Sequence, residues 1–509
     1  MPSADNKRIA KNAFFLYLRM FLYIVVNLYT VRVIWQVLGI DDYGIYNVVG
    51  GIVLMFSFLN GAMVASSQRF ISFELGRGSK ERLSRVFSLS ISIHLILALC
   101  IIVLAETVGL WFLNYKLNIP ADRMVAANWV YQCSLVAFCV NMISVPYNAC
   151  MVAHEHMKAF GYFGILEVSL KLVIVFMLLI IPLDKLVTYA VLILAVSVLM
   201  RFLYGWYCRS HFEECRYRYI KDHALMRDMF AFAGWSFIGN FGFSVKDQGL
   251  NIPINMFFNV AVNAAKGIAS QVGIVVNGFA QNFQMAINPQ ITKRYAAGDV
   301  ESMMKLVFYG CKYSVFLMLI IVLPIIMASD HILHLWLDDV AEYTTGFLQL
   351  TLVVALIDSI VNPITTALQA TGKIKRFQII ISIIMISNIP LAWLWLTFDL
   401  NPYIVIFVAG ITSVVAVATR LMLLHELVPY SYKSYIFQVV LPILITVPIA
   451  ALISWGIYKV YSPTFLGLLC YGVTSVLTSA SVIYLLGLNL AEKKTVNSAI
   501  AASVSKIFK

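Results

Sequence analysis

The residues of this chain that could do chemistry are ionisable side chains deep inside long apolar segments. If those segments cross a bilayer, a charge near the centre of one costs about 2.5–3.5 kcal/mol on insertion scales, so each should face protein, water or an interface. Residues placed in this way can pair with one another, bind a charged ligand or bind a coupling ion. The set comprises Arg19, Arg32, Glu106, Glu167, Lys171, Lys246, Asp247, Lys266, Lys312 and Asp358.

Some of these residues have a simple structural interpretation. Arg32, Glu106 and Lys312 lie near predicted helix ends, so we expect their side chains to extend to the membrane interface. Glu167 and Lys171 are four residues apart, the spacing that places two side chains on one helix face. We therefore expect an ion pair within that helix.

The composition excludes a water-soluble globule. Hydrophobic residues make up 61% of the 509 residues and charged residues 12%, with a mean hydropathy of +0.85. A soluble domain has about 45–50% apolar and about 25% charged residues. The eight cysteines form no C-x-x-C pair and lie mostly in apolar segments, so we interpret them as small core residues rather than metal ligands.

The chain is predicted to be an all-α integral membrane protein with fourteen transmembrane helices. A transmembrane helix needs about 20 predominantly apolar residues. The segments that satisfy this requirement are 12–35, 44–67, 86–113, 125–152, 160–182, 186–207, 229–256, 262–288, 306–328, 346–369, 376–398, 402–424, 436–459 and 465–488. The first segment lacks a signal-peptide cleavage site, so we expect it to remain as a helix.

The charged residues of the loops indicate the orientation of the chain. One alternate set of loops holds most of the Lys and Arg residues, whereas the other set is rich in Asp and Glu. Because Lys and Arg accumulate on the cytoplasmic side, both termini are predicted to be cytoplasmic. This distribution explains the formal net charge of +12 without a nucleic-acid partner. The basic stretch Arg77–Arg85 either sets topology alone or also binds anionic lipid headgroups.

An internal repeat flanks the longest polar break of the chain, Cys208–Arg227. Residues 146–160 align with residues 363–377, with Pro, Ala, Lys and Phe at matching places. Nearly the same offset aligns Gly78, Glu81 and Arg85 with Gly298, Glu301 and Lys305. Many membrane transporters are built from such repeats.

The repeat predicts four parts of the chain. Residues 1–207 form an N-terminal six-helix lobe, and residues 208–228 form a basic cytoplasmic linker. Residues 229–424 form a second six-helix lobe, and residues 425–509 form two extra helices and a cytoplasmic tail.

Several short motifs resemble one family of exporters. The turn Leu38–Tyr46 (LGIDDYGIY) follows the first helix, and the second helix runs into Ser67–Phe70 (SQRF). Asn288–Tyr295 (NPQITKRY) ends the eighth helix, and Ala370–Lys373 (ATGK) joins the tenth and eleventh. The first-half copy of the last motif, Ala153–His156 (AHEH), departs from the pattern. In this order, the motifs resemble the multidrug/oligosaccharidyl-lipid/polysaccharide exporter superfamily and, within it, Wzx-type polysaccharide (O-antigen) flippases.

The resemblance implies two pseudo-symmetric six-helix lobes followed by two C-terminal helices, a central cavity and transport by alternating access. It also implies a cargo: undecaprenyl-diphosphate-linked oligosaccharide repeat units of lipopolysaccharide, capsule or exopolysaccharide, moved across the bacterial inner membrane. The expected partners are this cargo and membrane lipids, with the polysaccharide polymerase and chain-length machinery as further candidates. No cofactor, metal ion or nucleic acid is expected.

The resemblance further implies that helices one, two, seven and eight line the cavity, which selects the candidate site residues. Cationic Arg19 and Lys246 suit the oxygens of a diphosphate. The candidate cargo-binding residues are Arg19, Lys246, Lys266, Asn27, Gln248, Asn251 and Gln281. The candidate ion-coupling carboxylates are Asp247, Asp358 and Glu167. A purely structural ion pair, such as Asp247 with Lys246 or Arg19, is the alternative.

Three other functions remain open. A lipid II flippase has similar cargo chemistry, and a multidrug/cation antiporter of the same superfamily would favour acidic cavity residues. A polysaccharide polymerase would carry a large external loop, whereas the longest external connection here is near 330–345. No P-loop, H-E-x-x-H or G-x-S-x-G motif is present, so an enzyme is not predicted.

Overall fold

The computed structural model describes residues 14–26, short pieces between 29 and 53, and residues 57–115, 119–258, 260–336, 340, 342–398, 401–461, 464–494 and 496–497. Within these ranges the regular structure is entirely helical. Contacts divide the chain into two compact units, residues 12–240 and residues 241–509. We refer to them as the first unit and the second unit.

Six of the described helices with 13 or more residues belong wholly to the first unit. They are α1 (Phe14–Val26), α2 (Ser57–Arg77), α3 (Lys80–Tyr115), α4 (Ala121–Ala153), α5 (Met157–Ile180) and α6 (Lys185–His211). Helix α4 is the centre of this unit, because α2, α3, α5 and α6 all pack on it. Its aromatic residues Tyr131 and Tyr147 are fully buried.

Helix α7 (His223–Gly249) leads from the first unit into the second. The second unit continues with α8 (Val260–Ala296), α9 (Val300–Met327), α10 (Thr344–Ala370), α11 (Lys375–Leu396), α12 (Ile404–Leu427), α13 (Tyr432–Tyr458) and α14 (Phe465–Gly487). Short helices at Asn251–Phe257 and Ser329–Trp336 lie between these elements. Helix α9 packs against α8, α10, α13 and α14, so it is a central helix of this unit.

The predicted fold class is confirmed. Ten of the described helices are long and apolar enough to cross a membrane, and each coincides with one of the predicted spans from 86–113 onward. The predicted spans 229–256 and 262–288 are helical but are not among these ten. The first is divided between α7 and the short helix Asn251–Phe257, and the second lies within α8. The spans 12–35 and 44–67 lie partly outside the described residues. Of the predicted linker, residues 208–211 continue α6 and residues 223–228 begin α7.

Three helices of the second unit are interrupted, each just before a proline. Proline cannot donate a backbone hydrogen bond, and its ring collides with the carbonyl four residues earlier. Helix α10 breaks at residues 359–360, ahead of Pro363, and α11 breaks at Ser387, ahead of Pro390. Helix α7 ends at Gly249, and Pro253 follows in the next short helix. Local sequence therefore produces the breaks that expose backbone polar groups within this unit.

The turns of the internal repeat have the same geometry in both units. Gly78 and Gly298 adopt positive φ angles of 74° and 80°. The side chain of Ser79 caps α3, and that of Asp299 caps α9. Asp299 has a lowered pKa, because its carboxylate is hydrogen-bonded to the side chain and the backbone N–H of Ser302. These two turns therefore share the local geometry that the predicted repeat requires of them.

In the first unit, at the ends of the helices opposite the Gly78 turn, Arg123 forms ion pairs with two acidic residues. Its guanidinium donates to Asp42 at 2.8 Å and to Asp184 at 2.6 Å. Burial alone would raise the pKa of Asp184, but hydrogen bonds from the Val187 N–H and Arg123 outweigh it and lower the pKa. The contact ties the start of α4 to the residue that precedes α6.

Candidate functional site

A buried ion pair connects α7 and α10 in the second unit. Lys246 Nζ donates to Asp358 Oδ2 at 2.9 Å and to Ser413 Oγ of α12 at 2.6 Å. The Lys246 side chain is 8% exposed and the Asp358 side chain 22%. The contact joins two residues that are 112 positions apart in sequence. Lys246 and Asp358, which the sequence assigned to different roles, therefore belong to one cluster.

The break in α10 places Asp358 at the end of a half-helix. Pro363 prevents a helical hydrogen bond to the carbonyl of Ser359. That carbonyl instead accepts a hydrogen bond from Gln284 Nε2 of α8 at 2.8 Å, and Gln284 also donates to Ser314 Oγ at 3.0 Å. Irregular backbone at membrane depth is stable only where such partners satisfy it. Gln284 therefore stabilises the break beside Asp358.

Arg420 of α12 adds a second cation near this carboxylate. It is 6% exposed, and its charge interacts with that of Asp358. Its guanidinium carbon lies 5.9 Å from the centre of the Phe377 ring. Arg420 and Ser413 are seven residues apart, two turns or about 10 Å along one face of the helix. In the described part of the chain, Arg420 Nε and Nη1 are buried without a hydrogen-bond partner.

This cluster of Lys246, Asp358, Ser413 and Arg420, which we call the α12 cluster, has an excess of positive charge. It contains two cations and one carboxylate, all within the second unit. A buried donor without a partner costs about 1–3 kcal/mol, so the arginine is retained at a cost in stability. An anion could satisfy its guanidinium, while loss of the charge on Asp358 would release Lys246. Both events belong to the chemistry of a binding or coupling site.

The remaining predicted residues of the second unit are distributed around this cluster. Lys266 is 3% exposed and donates to Asn251 Oδ1 at 2.7 Å, which joins two more of the predicted cargo-binding residues. Gln281 is exposed on α8. The side chains of Asp247 and Gln248 lie outside the described residues.

In the first unit, Arg19 packs against α5. Its guanidinium carbon lies 4.6 Å from the centre of the Phe160 ring, and its side chain lies where a Cβ at Gly164 would be. The absence of a side chain at Gly164 is thus what allows this close approach. The predicted pair of Glu167 and Lys171 is formed at 2.7 Å. Asn27 lies outside the described residues.

The expectation that Lys312 reaches the membrane interface is wrong. Lys312 is 3% exposed and donates to both carboxylate oxygens of Glu492, at 2.6 and 2.7 Å. Glu492 in turn forms reciprocal hydrogen bonds with Asn489, between each side chain and the other's backbone N–H. A carboxylate from the chain segment after α14 makes burial of this lysine possible.

Sequence reasoning missed Arg420, although the repeat contained a signal for it. An offset of 219 residues, within the range that aligns the two halves, pairs Arg420 with Arg201 of α6. Arg201 is held differently, because its guanidinium carbon lies 4.1 Å from the centre of the Tyr147 ring. A pair of arginines at equivalent positions in two membrane helices would have marked both residues as candidates.

The described residues contain no group of three or more His, Cys, Asp or Glu side chains that could hold a metal ion. The eight cysteines are free thiols, and six of them are buried.

The fold built from these helices is that of the MATE transporters. The MatE family matches residues 256–394, which include all of α8, α9 and α10 and nearly all of α11. This finding and the matching structures support the superfamily resemblance drawn from the sequence motifs. They do not reach the Wzx-type subgroup, which remains a prediction.

Solved structures of MATE transporters match over almost their whole length. A structure titled as the outward-facing conformation of a multidrug resistance MATE family transporter of the MOP superfamily is 15% identical, covering 84% of this chain and 97% of that one, with a TM-score of 0.72. A MATE in complex with MaD3S is 14% identical, covering 83% and 97%, with a TM-score of 0.70. A mutant of the Vibrio cholerae MATE transporter VcmN is 15% identical, covering 83% and 97%, with a TM-score of 0.69. No curated protein matches the sequence.

Proposed function

We propose that this protein is a membrane exporter that works by alternating access and that the α12 cluster binds the charged part of its cargo. The observation that carries the proposal is the buried Arg420, which lies near the Lys246–Asp358 pair. Its Nε and Nη1 atoms have no hydrogen-bond partner among the described residues. The fold supports transport, because MATE transporters share it. The interrupted helix α10 supports the location, because broken helices form substrate and ion sites in many transporters.

The proposed cargo is an undecaprenyl-diphosphate-linked oligosaccharide. A diphosphate offers several acceptor oxygens, which an arginine fork and a lysine ammonium bind well. A sugar hydroxyl moved out of water without a partner costs roughly 2–7 kcal/mol, so the glycan needs a polar path through the bilayer. An inside-negative potential favours outward movement of the diphosphate by about 2.3 kcal/mol per charge per 100 mV.

In this proposal, Asp358 neutralises Lys246 and so prevents other anions from binding there until the cargo binds. A phosphate oxygen competes with Asp358 for Lys246 and supplies the acceptor that Arg420 lacks. The displaced carboxylate then binds a proton or a cation, which couples cargo binding to an ion gradient. The protein is proposed to act in the bacterial inner membrane with both termini in the cytoplasm, as the distribution of Lys and Arg favours.

A multidrug/cation antiporter is the second candidate, and the comparisons favour it. One of the matching structures is titled as a multidrug resistance MATE family transporter. In an antiporter, Asp358 would bind the cationic cargo or the coupling ion. The ammonium group of Lys246 would pair with Asp358 when neither is bound. The two candidates therefore differ in which charge of the α12 cluster is essential.

The test is deletion of the gene, followed by complementation with variants matched for the amount of inserted protein. For the flippase, deletion should accumulate cytoplasm-facing lipid-linked repeat units and abolish surface glycan. Arg420→Gln should lower transport by roughly 10- to 100-fold, since it removes charge-assisted hydrogen bonds to the cargo. Lys305→Gln is the matched control, because it removes an exposed cation of the same unit.

The antiporter predicts the opposite ranking. Deletion would leave surface glycan unchanged and raise sensitivity to cationic drugs. Asp358→Asn would then abolish efflux, whereas Arg420→Gln would leave it largely intact. Normal glycan in cells carrying Arg420→Gln, at wild-type protein level, would exclude the proposed diphosphate site.

A further inference from the structure

A second concentration of positive charge lies at the basic end of the first unit, far along the helices from the acidic contact of Arg123. Here the start of α3, the short helical turn Glu213–Cys215 and the extended residues 216–220 surround a cleft of about 450 Å³. Cavities of a few hundred Å³ are typical of sites that hold a small molecule or a headgroup.

The walls of this cleft are fixed by contacts within the unit. The backbone N–H of Arg218 donates to Ser88 Oγ at 3.2 Å, and the hydroxyls of Tyr217 and Ser92 lie 3.2 Å apart. Glu214 accepts a hydrogen bond from His154 at 2.5 Å, which anchors the turn beside the cleft. These contacts hold residues 216–220 along α3.

Four cationic side chains line the cleft, and two of them already have partners. Lys80 pairs with Glu213 at 2.9 Å, and Arg85 pairs with Glu81 at 2.5 Å. These pairs are largely exposed, and exposed pairs contribute little, with a median of about 0–1 kcal/mol. A ligand phosphate can therefore compete with the glutamates for both cations at small cost.

Arg216 and Arg218 provide the charge that is not balanced. Both are exposed, both line the cleft, and neither forms an ion pair within the described ranges. The third carboxylate of the cleft, Glu214, is occupied by His154. Two guanidinium groups therefore face a preformed cleft with unused donors, and paired arginines are suited to phosphate oxygens.

The aromatic side chains of the same segment indicate a lipid rather than a soluble anion. Tyr219, which also lines the cleft, is 75% exposed, and Tyr217 is 43% exposed. Tyrosines are enriched at the level of lipid headgroups. Residues 216–220 follow the end of α6, a helix long and apolar enough to cross a membrane. Lipid headgroups lie at the level of such helix ends.

We propose that this cleft, formed by Lys80, Arg85, Arg216 and Arg218, binds the phosphate of an anionic lipid headgroup. The site is separate from the α12 cluster and does not depend on the identity of the exported cargo. Because its wall includes the segment that leads into α7, the bound lipid stabilises the linker in its extended conformation.

The full-length protein in detergent micelles is titrated into phosphatidylglycerol carrying a fluorophore on its acyl chain, and binding is followed by anisotropy. We expect saturable binding that unlabelled phosphatidylglycerol displaces and phosphatidylcholine does not. Arg216→Gln/Arg218→Gln should weaken binding roughly 30-fold, at about a factor of five per cation removed. Arg209→Gln/Arg227→Gln removes the same charge from exposed flanking positions outside the cleft and should bind as the wild type does.

Three results would overturn the proposal. Displacement by glycerol 3-phosphate at the same concentration as by phosphatidylglycerol would mean a site for soluble phosphates. Equal weakening in the two double variants would mean attraction by surface charge without a site. Binding that does not saturate would mean partition into the micelle. Loss of glycan export in cells plays no part in this assay, so failure here is distinguishable from failure of the proposed transport function.

Discussion

The third helix of each repeat, α3 or α9, contacts the chain segment that follows the sixth helix, α6 or α12. The two units make these contacts with different types of side chain. In the first unit, Ser88 and Ser92 of α3 contact Arg218 and Tyr217 through hydrogen bonds. At the position of Ser88, the second unit has Phe308, whose ring lies 6.0 Å from that of Tyr430 and 5.4 Å from that of Tyr435. At the position of Ser92 it has Lys312, paired with Glu492.

The difference shows how one repeat can serve two purposes. The first unit's polar face supports an open, basic segment at the surface. The second unit's apolar and charged face buries the start of α13 and the segment after α14, so the two additional helices become part of that unit. Helix interruption and buried charge are also concentrated in the second unit, where the candidate site lies.

The largest expected effect is at the Lys312–Glu492 pair. Lys312→Met or Glu492→Gln alone should destabilise the second unit by about 3–5 kcal/mol, because each leaves a buried charge without its partner. The double variant should recover most of this loss. Thermal unfolding of the purified protein measures it, with Ser92→Ala as the matched change in the first unit. Equal losses from Ser92→Ala and Lys312→Met would remove the distinction between the two faces.

The next effect concerns the prolines that the repeat places at equivalent positions. Pro363→Ala should let α10 become continuous, with a local gain of about 2 kcal/mol, the helix penalty of proline less one buried hydrogen bond from Gln284. Helix α4 is already continuous through Pro146, so Pro146→Ala should have little effect on hydrogen exchange. Amide hydrogen exchange is compared for peptides around 355–365 in Pro363→Ala and around 138–148 in Pro146→Ala. Equal gains in protection in both regions would contradict the prediction.

A smaller effect separates the two copies of the turn between the fourth and fifth helices of each repeat. Glu155 and Gly372 are aligned and have φ angles of 62° and 76°. A side chain in this region costs about 1 kcal/mol or more. Glu155→Gly should therefore stabilise the first unit by about 1 kcal/mol, and Gly372→Ala should destabilise the second by a similar amount. Melting temperatures that move in the same direction for both variants would contradict this assignment.

The smallest effect is a pH dependence confined to the first unit. Burial would raise the pKa of Glu214, but hydrogen bonding to His154 outweighs it and lowers the pKa. The ionised carboxylate therefore contributes stability that is fully present above the unfolded value near 4.5 and is lost as the pH falls through the folded value. Unfolding measured between pH 6 and pH 3 should show this loss in the wild type and a shallower slope in Glu214→Gln.

Much of the fold follows from short-range patterns that a sequence displays. Apolar length defines the spans, and the glycines at positions 78 and 298 mark the repeated turns. The breaks in α7, α10 and α11 each precede a proline, but Pro146, Pro289 and Pro324 lie inside continuous helices, so a proline alone does not predict a break. The motif Ala153–His156 (AHEH) lacks the glycine of the motif Ala370–Lys373 (ATGK), so the sequence does not show that the two turns are alike. In the structure, Glu155 has a positive φ angle, as Gly372 does.

The partners of the buried charges could not be predicted in this way. Lys246 and Asp358 are 112 residues apart and Lys312 and Glu492 are 180 apart, so only tertiary packing brings them together. Helix position alone suggested a lysine at the interface for Lys312 and a cavity-facing lysine for Lys246. Contacts of Lys312 with the segment after α14, and of Lys246 with α10 and α12, supply these partners.

The Lys312–Glu492 pair also has a consequence in time. The ribosome adds about 5–20 residues per second, and 180 residues separate the two partners. Glu492 is therefore added to the chain roughly 10–40 s after Lys312. During that interval α9 carries an uncompensated lysine, which favours a shallow or incompletely inserted helix. Once Glu492 has been synthesised, its carboxylate neutralises Lys312, so the second unit completes its folding only after that point.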